Sequence, residues 1–169
     1  LREEGEVRDL ISLFFDALEE QTPELREEKV RLNFIGDISR FNKKLIKQIE
    51  KSKNLTNEYE PKLNLIIAAS YGGKWDIINA IKKFHADKNN KELNENSLEN
   101  YLETKSFPNP DLIIRSGGEK RLSNFYLWQS SYSELFFSDK LWPDFNIKDF
   151  DIALKDFRSR KRKFGVETG

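Results

Sequence analysis

Two short apolar runs in this chain each break at a pair of glycines, and that repeated pattern limits the possible folds more than any other feature. Leu63 to Ala69 is almost continuously apolar and leads into Ser70-Tyr71-Gly72-Gly73. Leu112 to Ile114, entered through Pro108 and Pro110, ends at Arg115 and meets Gly117-Gly118 almost at once. Runs this short and this apolar suit buried strands of a parallel sheet better than helix starts. The first is expected to be a central strand covered on both faces. Val30 to Gly36 alternates Val30, Leu32 and Phe34 with Arg31 and Asn33 and stops at Gly36-Asp37, which is a strand pattern. Glu134 to Phe137 supplies a fourth strand.

Between the strands the apolar spacing becomes helical. Val7, Leu10, Ile11, Phe14, Phe15 and Leu18 predict a first helix from about Glu4 to Glu20, after which Pro23 reopens the chain. Leu45, Ile46 and Ile49 mark a second helix, with Lys43, Lys44, Lys47 and Lys51 facing outward. Trp75, Ile77, Ile78, Ile81 and Phe84 mark a third, and Leu98, Tyr101 and Leu102 a short one capped by Ser97. Asn124 to Gln129 is expected to be helical, Trp142 to Phe145 a rigid turn, and Ile147, Phe150, Ala153, Leu154 and Phe157 a closing helix. Strands alternating with helices give an α/β fold, a mostly parallel sheet flanked by helices, as a single domain over residues 1–169.

Charge and composition exclude several functions. Lysine plus arginine equals aspartate plus glutamate at 29 each, so no global basic field points to nucleic acid. The one basic cluster, Arg158 to Lys163, lacks interleaved aromatics and reads as a solvated helix end with cations at its negative pole. The lysine face of the second helix reads as solvated, with contact to anionic lipid headgroups as its functional alternative. The absence of cysteine removes disulfides, thiolate metal sites and cysteine nucleophiles, and is compatible with a reducing cytoplasm. The single histidine, His85, has no partner motif and reads as structural, which argues against histidine catalysis and zinc. No apolar run approaches the roughly 18 residues of a bilayer span, so a soluble protein is expected. The chain contains no methionine and enters almost directly into an amphipathic helix, like a sequence cut inside a domain.

The chemistry concentrates between Asp111 and Glu134. Ligands of open α/β sheets sit beyond the carboxyl ends of strands, where Arg115 is expected. Two glycines there let the backbone approach an anion and aim N–H groups at it. Arg121 and Ser123 add a planar fork and a hydroxyl that suit the spread oxygens of a phosphate or diphosphate. Singly, such an arginine is a surface ion-pair partner and such a glycine pair a turn; together they describe an anion cradle. Glu134 reads either as an exposed charge or as an oxygen ligand for magnesium.

The chain resembles the cis-prenyltransferase family, which includes bacterial undecaprenyl diphosphate synthase. The matching segments are Asp111-Leu-Ile-Ile-Arg-Ser-Gly-Gly-Glu119, Arg121-Leu-Ser-Asn-Phe125, Leu127-Trp-Gln129, Glu134-Leu-Phe-Phe137 and Leu141-Trp-Pro-Asp-Phe145. Upstream, Ile35-Gly-Asp-Ile-Ser-Arg-Phe41 and Ala69-Ser-Tyr-Gly-Gly-Lys-Trp-Asp-Ile77 match as well. The resemblance implies a magnesium-dependent enzyme that condenses isopentenyl diphosphate with an allylic diphosphate such as farnesyl diphosphate. Its product would be undecaprenyl diphosphate, the carrier of cell-wall sugars. It assigns Arg115, Arg121, Ser123 and the Leu122 backbone to isopentenyl diphosphate, Arg2 to diphosphate binding and Glu134 to magnesium. It also implies a cytoplasmic homodimer, a product tunnel walled by the first helix and the first two strands, and peripheral membrane contact for product release. An upstream section carrying two further strands and an Asp-Gly-Asn-Gly-Arg loop with the catalytic aspartate is expected. A non-catalytic prenyltransferase-like subunit is the alternative.

Overall fold

The computed structural model describes residues 4–89 and 92–162, in two compact units divided at Tyr71 and Gly72. The first unit contains helix α1 (Glu4–Glu27), strand β1 (Val30–Ile35), helix α2 (Lys43–Leu55) and strand β2 (Leu63–Ala68). β1 and β2 pair in parallel, with Val30 opposite Leu63 and Ile35 opposite Ala68. Leu18 of α1 and Leu45 and Ile49 of α2 form the buried centre, surrounded by Phe14, Phe15, Phe34 and Phe41. Burying each such aliphatic side chain contributes roughly 1.5–3 kcal/mol, which is what holds the two helices together.

Helix α1 runs through Pro23 rather than stopping before it. Packing overrides the breaker here: Leu18 is buried on one side of the proline, and Thr22 donates to Ser52 on α2 at 2.7 Å. Strand β2 differs from expectation in the other direction. Leu63 is 59% and Leu65 38% exposed, so the strand is not covered on both faces. Among the described residues it pairs with β1 alone, and only Ile67 of its apolar side chains packs against the α1–α2 centre.

The second unit contains α3 (Gly73–Ala86), α4 (Glu95–Glu99), β3 (Leu112–Arg115), β4 (Glu134–Phe137) and α5 (Ile147–Ser159). β3 and β4 form a second parallel pair, with Leu112 opposite Glu134 and Arg115 opposite Phe137. Ala80, Leu98 and Leu102 form its buried centre, with Ile77, Ile81, Tyr101 and Trp128 packed around them. The short helix α4 is capped by Asn94, whose side chain accepts from the Ser97 N–H; Ser97 returns the bond to the Asn94 N–H as the third residue of a capping box. Residues 123–130 form a series of turns instead of the expected helix. Ser123 (φ 47°), Asn124 (φ 63°) and Tyr126 (φ 47°) all take left-handed backbone conformations, which an α-helix cannot accommodate.

Candidate functional site

Strand β3 carries Arg115 to its carboxyl end, as its apolar run requires. There Arg115 Nη1 donates to the Ser123 hydroxyl at 2.8 Å and also to the Arg121 carbonyl oxygen. The expected convergence of Arg115 and Ser123 is therefore present, and it folds the 121–123 loop back over the strand end. Arg121 belongs to the same exposed loop, but its guanidinium pairs with Glu119. That pair is open to water, with side chains 61% and 49% exposed, and such pairs contribute at most about 1 kcal/mol. Leu122 lies between the two polar residues and is half-buried. Arg2 lies outside the described residues.

The glycines do not act as expected. Gly117 (φ 93°) and Gly118 (φ 77°) need their left-handed conformations, but their N–H groups donate to the Lys140 and Ser138 carbonyls at 2.7 and 2.9 Å. They extend the β3–β4 pairing beyond its last residues, so these amides are not free to aim at an anion. The Gly72-Gly73 turn is spent internally as well. The Gly73 N–H donates to the Asn124 carbonyl at 2.7 Å, and the Lys74 N–H to the Asn124 side-chain oxygen at 2.9 Å.

Glu134 stands apart from these residues. It begins β4 opposite Leu112, whereas Arg115 ends β3, so the two lie three residues or roughly 10 Å apart along the ladder. Its carboxylate accepts from Arg160 at 2.7 Å, and Arg160 also holds Asp156. Hydrogen bonding to Glu134, then to Asp156, holds the Arg160 guanidinium still more firmly protonated than usual. Arg162 likewise pairs with Asp111 and donates to the Tyr132 carbonyl. The basic tail is thus engaged at the amino end of the β3–β4 pair and is not simply a solvated helix end. Among the described residues no group of three or more histidine, aspartate or glutamate side chains is placed to hold a metal ion.

A buried network that local sequence patterns do not announce fixes the far end of the loop. Asp76 of α3, 1% exposed, accepts from the Glu103 N–H at 2.9 Å and from Gln129 at 3.1 Å; Gln129 also donates to Thr104 at 2.9 Å. Burial, and then the Asp76 charge, push the Tyr126 phenol above its ordinary range. In the first unit, Leu10, Ile11, Phe14, Phe41 and Ile67 to Ser70 line an apolar cavity of about 380 Å³. Among the described residues, no helix is long and apolar enough to cross a membrane.

A parallel strand pair with arginine and serine converging at its carboxyl end, flanked by helices, defines an α/β protein. The sequence pattern of the family described as "Putative undecaprenyl diphosphate synthase" matches residues 1–165, and the chain belongs to that prenyltransferase family. It is 45% identical over 170 residues to a ditrans,polycis-undecaprenyl-diphosphate synthase of Coxiella burnetii, a match covering 98% of this chain and 71% of that protein. It is 46% identical over 164 residues to an isoprenyl transferase of Neisseria meningitidis, covering 97% of this chain and 65% of that protein. Among solved structures, lavandulyl diphosphate synthase from Lavandula x intermedia, in complex with dimethylallyl diphosphate, superposes with a TM-score of 0.90 at 36% identity, covering 98% of this chain and 73% of that one. A probable undecaprenyl diphosphate synthase from Campylobacter jejuni gives 0.88 at 36% identity, covering 98% and 77%.

Proposed function

We propose that this chain is the isopentenyl diphosphate-binding part of a cis-prenyltransferase that extends farnesyl diphosphate to undecaprenyl diphosphate. The observation that carries the proposal is the contact of Arg115 with Ser123 at the carboxyl end of β3, with Arg121 on the same loop. Arg115 and Arg121 bind the isopentenyl diphosphate, Ser123 orients it and Leu122 contributes its backbone; Arg2 completes the set assigned by resemblance. In the reaction the allylic carbon–oxygen bond breaks, the diphosphate leaves with the bonding electrons, a carbon–carbon bond forms to the isopentenyl unit, and a proton is lost. The described arginines act by holding charge and position, which is electrostatic catalysis and needs no side-chain nucleophile.

Glu134 is the carboxylate that would hold a magnesium ion, whose charge would neutralise diphosphate oxygens. Glu134 begins β4 while Arg115 ends β3, and the Glu134 carboxylate is paired with Arg160. The apolar cavity of the first unit suits the growing hydrocarbon, which needs a dry, nonpolar lining. Lys43, Lys44, Lys47 and Lys51, all exposed on α2, suit passing contact with anionic headgroups when product leaves, in a homodimer of the cytoplasm.

A second reading, a non-catalytic subunit of the same fold, draws on the pairing of Arg121 with Glu119 and of Glu134 with Arg160. Calorimetry with isopentenyl diphosphate separates the two. The first reading expects binding by the unmutated chain and a loss of at least about tenfold in Arg121→Ala, the scale of one charge-assisted contact. No heat from the unmutated chain overturns it.

A further inference from the structure

The loop carrying Arg121 and Ser123 is fastened to α3 by a residue outside the assigned binding set. Asn124 follows Ser123 and has two bonds to the start of α3: its backbone oxygen accepts from the Gly73 N–H at 2.7 Å, and its side-chain oxygen from the Lys74 N–H at 2.9 Å. These are first-turn N–H groups that the helix itself cannot satisfy. The loop sits close above both glycines, and at Gly73 it leaves no room for a side chain without a shift of Leu127, backbone included. A Cβ on Gly72 would lie 2.7 Å from Asn124 Nδ2, and one on Gly73 would lie 2.7 Å from Leu127 Cγ. Ser123 and Asn124 are both left-handed, and asparagine tolerates that conformation better than most side chains. The turn is closed locally by the Phe125 N–H donating to the Leu122 carbonyl at 3.0 Å and by Arg115 donating to the Arg121 carbonyl, and the Asn124 bonds anchor that turn to α3.

We infer that Asn124 is a positioning residue for the diphosphate site, locking the 121–123 loop onto Arg115 by capping helix α3. The paired glycines at 72 and 73 are then the seat of that loop and not an anion-binding turn. The inference rests on the diphosphate-binding reading above and adds to it a residue that touches no substrate.

The test measures isopentenyl diphosphate binding by calorimetry on the full chain, with three variants. Asn124→Ala removes the side-chain half of the cap, the bond to the Lys74 N–H, together with the left-handed preference, and the dissociation constant is expected to rise about tenfold. Asn124→Asp keeps the capping oxygen and is expected to bind within about twofold of the unmutated chain. Asn146→Ala removes an equivalent cap from α5, where the Asn146 side chain accepts from the Lys148 N–H at 2.9 Å, and is expected to leave binding unchanged. Amide hydrogen exchange gives a second readout: Lys74, whose N–H bonds the Asn124 side chain, should lose protection in Asn124→Ala and keep it in Asn124→Asp. Binding by Asn124→Ala equal to that of the unmutated chain overturns this inference alone, as does an equal loss in Asn146→Ala. No binding by the unmutated chain overturns it together with the functional reading.

Discussion

Gly36 turns the chain out of β1 with φ of 113°, and a methyl group there would lie 2.1 Å from the Ala69 carbonyl oxygen. Neither the conformation nor the space admits a side chain. Gly36→Ala is expected to lower stability by about 3 kcal/mol or more, measured by denaturant unfolding; an unchanged midpoint would show that the loop relaxes freely. At this scale the sequence was most informative about Arg115 and Ser123, because a short apolar run ending in arginine leaves few places for that side chain except a strand's edge. It was least informative about Asn124, Asp76 and Gln129. Their partners lie 50 or more residues away in two of the bonds that matter, and no local spacing encodes a contact of that separation. Arg121 falls between: its place on the loop was legible, but its pairing with Glu119 depends on the loop's own turn.

Helix α5 shows how an element is terminated by chemistry readable in its first residues. Asn146 and Asp149 form a reciprocal capping box, and Lys140 adds a bond to Asp149 at 2.8 Å. The Asn146 N–H foremost, then the Lys140 ammonium, hold the Asp149 carboxyl below its usual range. A carboxylate depressed in the folded state contributes stability that is fully present above its unfolded pKa of about 3.9. That contribution is lost as pH falls through the lower folded value. Unfolding midpoints measured on acidification below about pH 4 should therefore fall more steeply in the unmutated chain than in Asp149→Asn; parallel curves would remove the cap from this account. Two other elements went against their local signals. Helix α1 continues through Pro23 because burial of Leu18 and the Thr22–Ser52 bond outweigh the missing N–H. The 123–130 segment abandons its helical spacing because its backbone is fastened to α3.

Viewed as a whole, the second unit leaves much apolar surface facing water. Trp142 is 72% and Ile147 80% exposed, with Leu141 at 64% and Ile152 at 56%. The proposed homodimer would bury part of this surface. Sedimentation of the unmutated chain is expected to give a dimer and Trp142→Glu with Ile147→Glu a shift toward monomer; a monomer before mutation would remove the homodimer from the proposal. The sequence alone determined the strand and helix alternation, the edge position of Arg115 and the family, because hydrophobic period and glycine placement act over a few residues. Tertiary structure alone decided which amides remain available to an anion, where Glu134 and the basic tail are engaged, and which residue holds the loop. Those outcomes depend on hydrogen bonds and ion pairs between distant segments, formed only once the chain has packed.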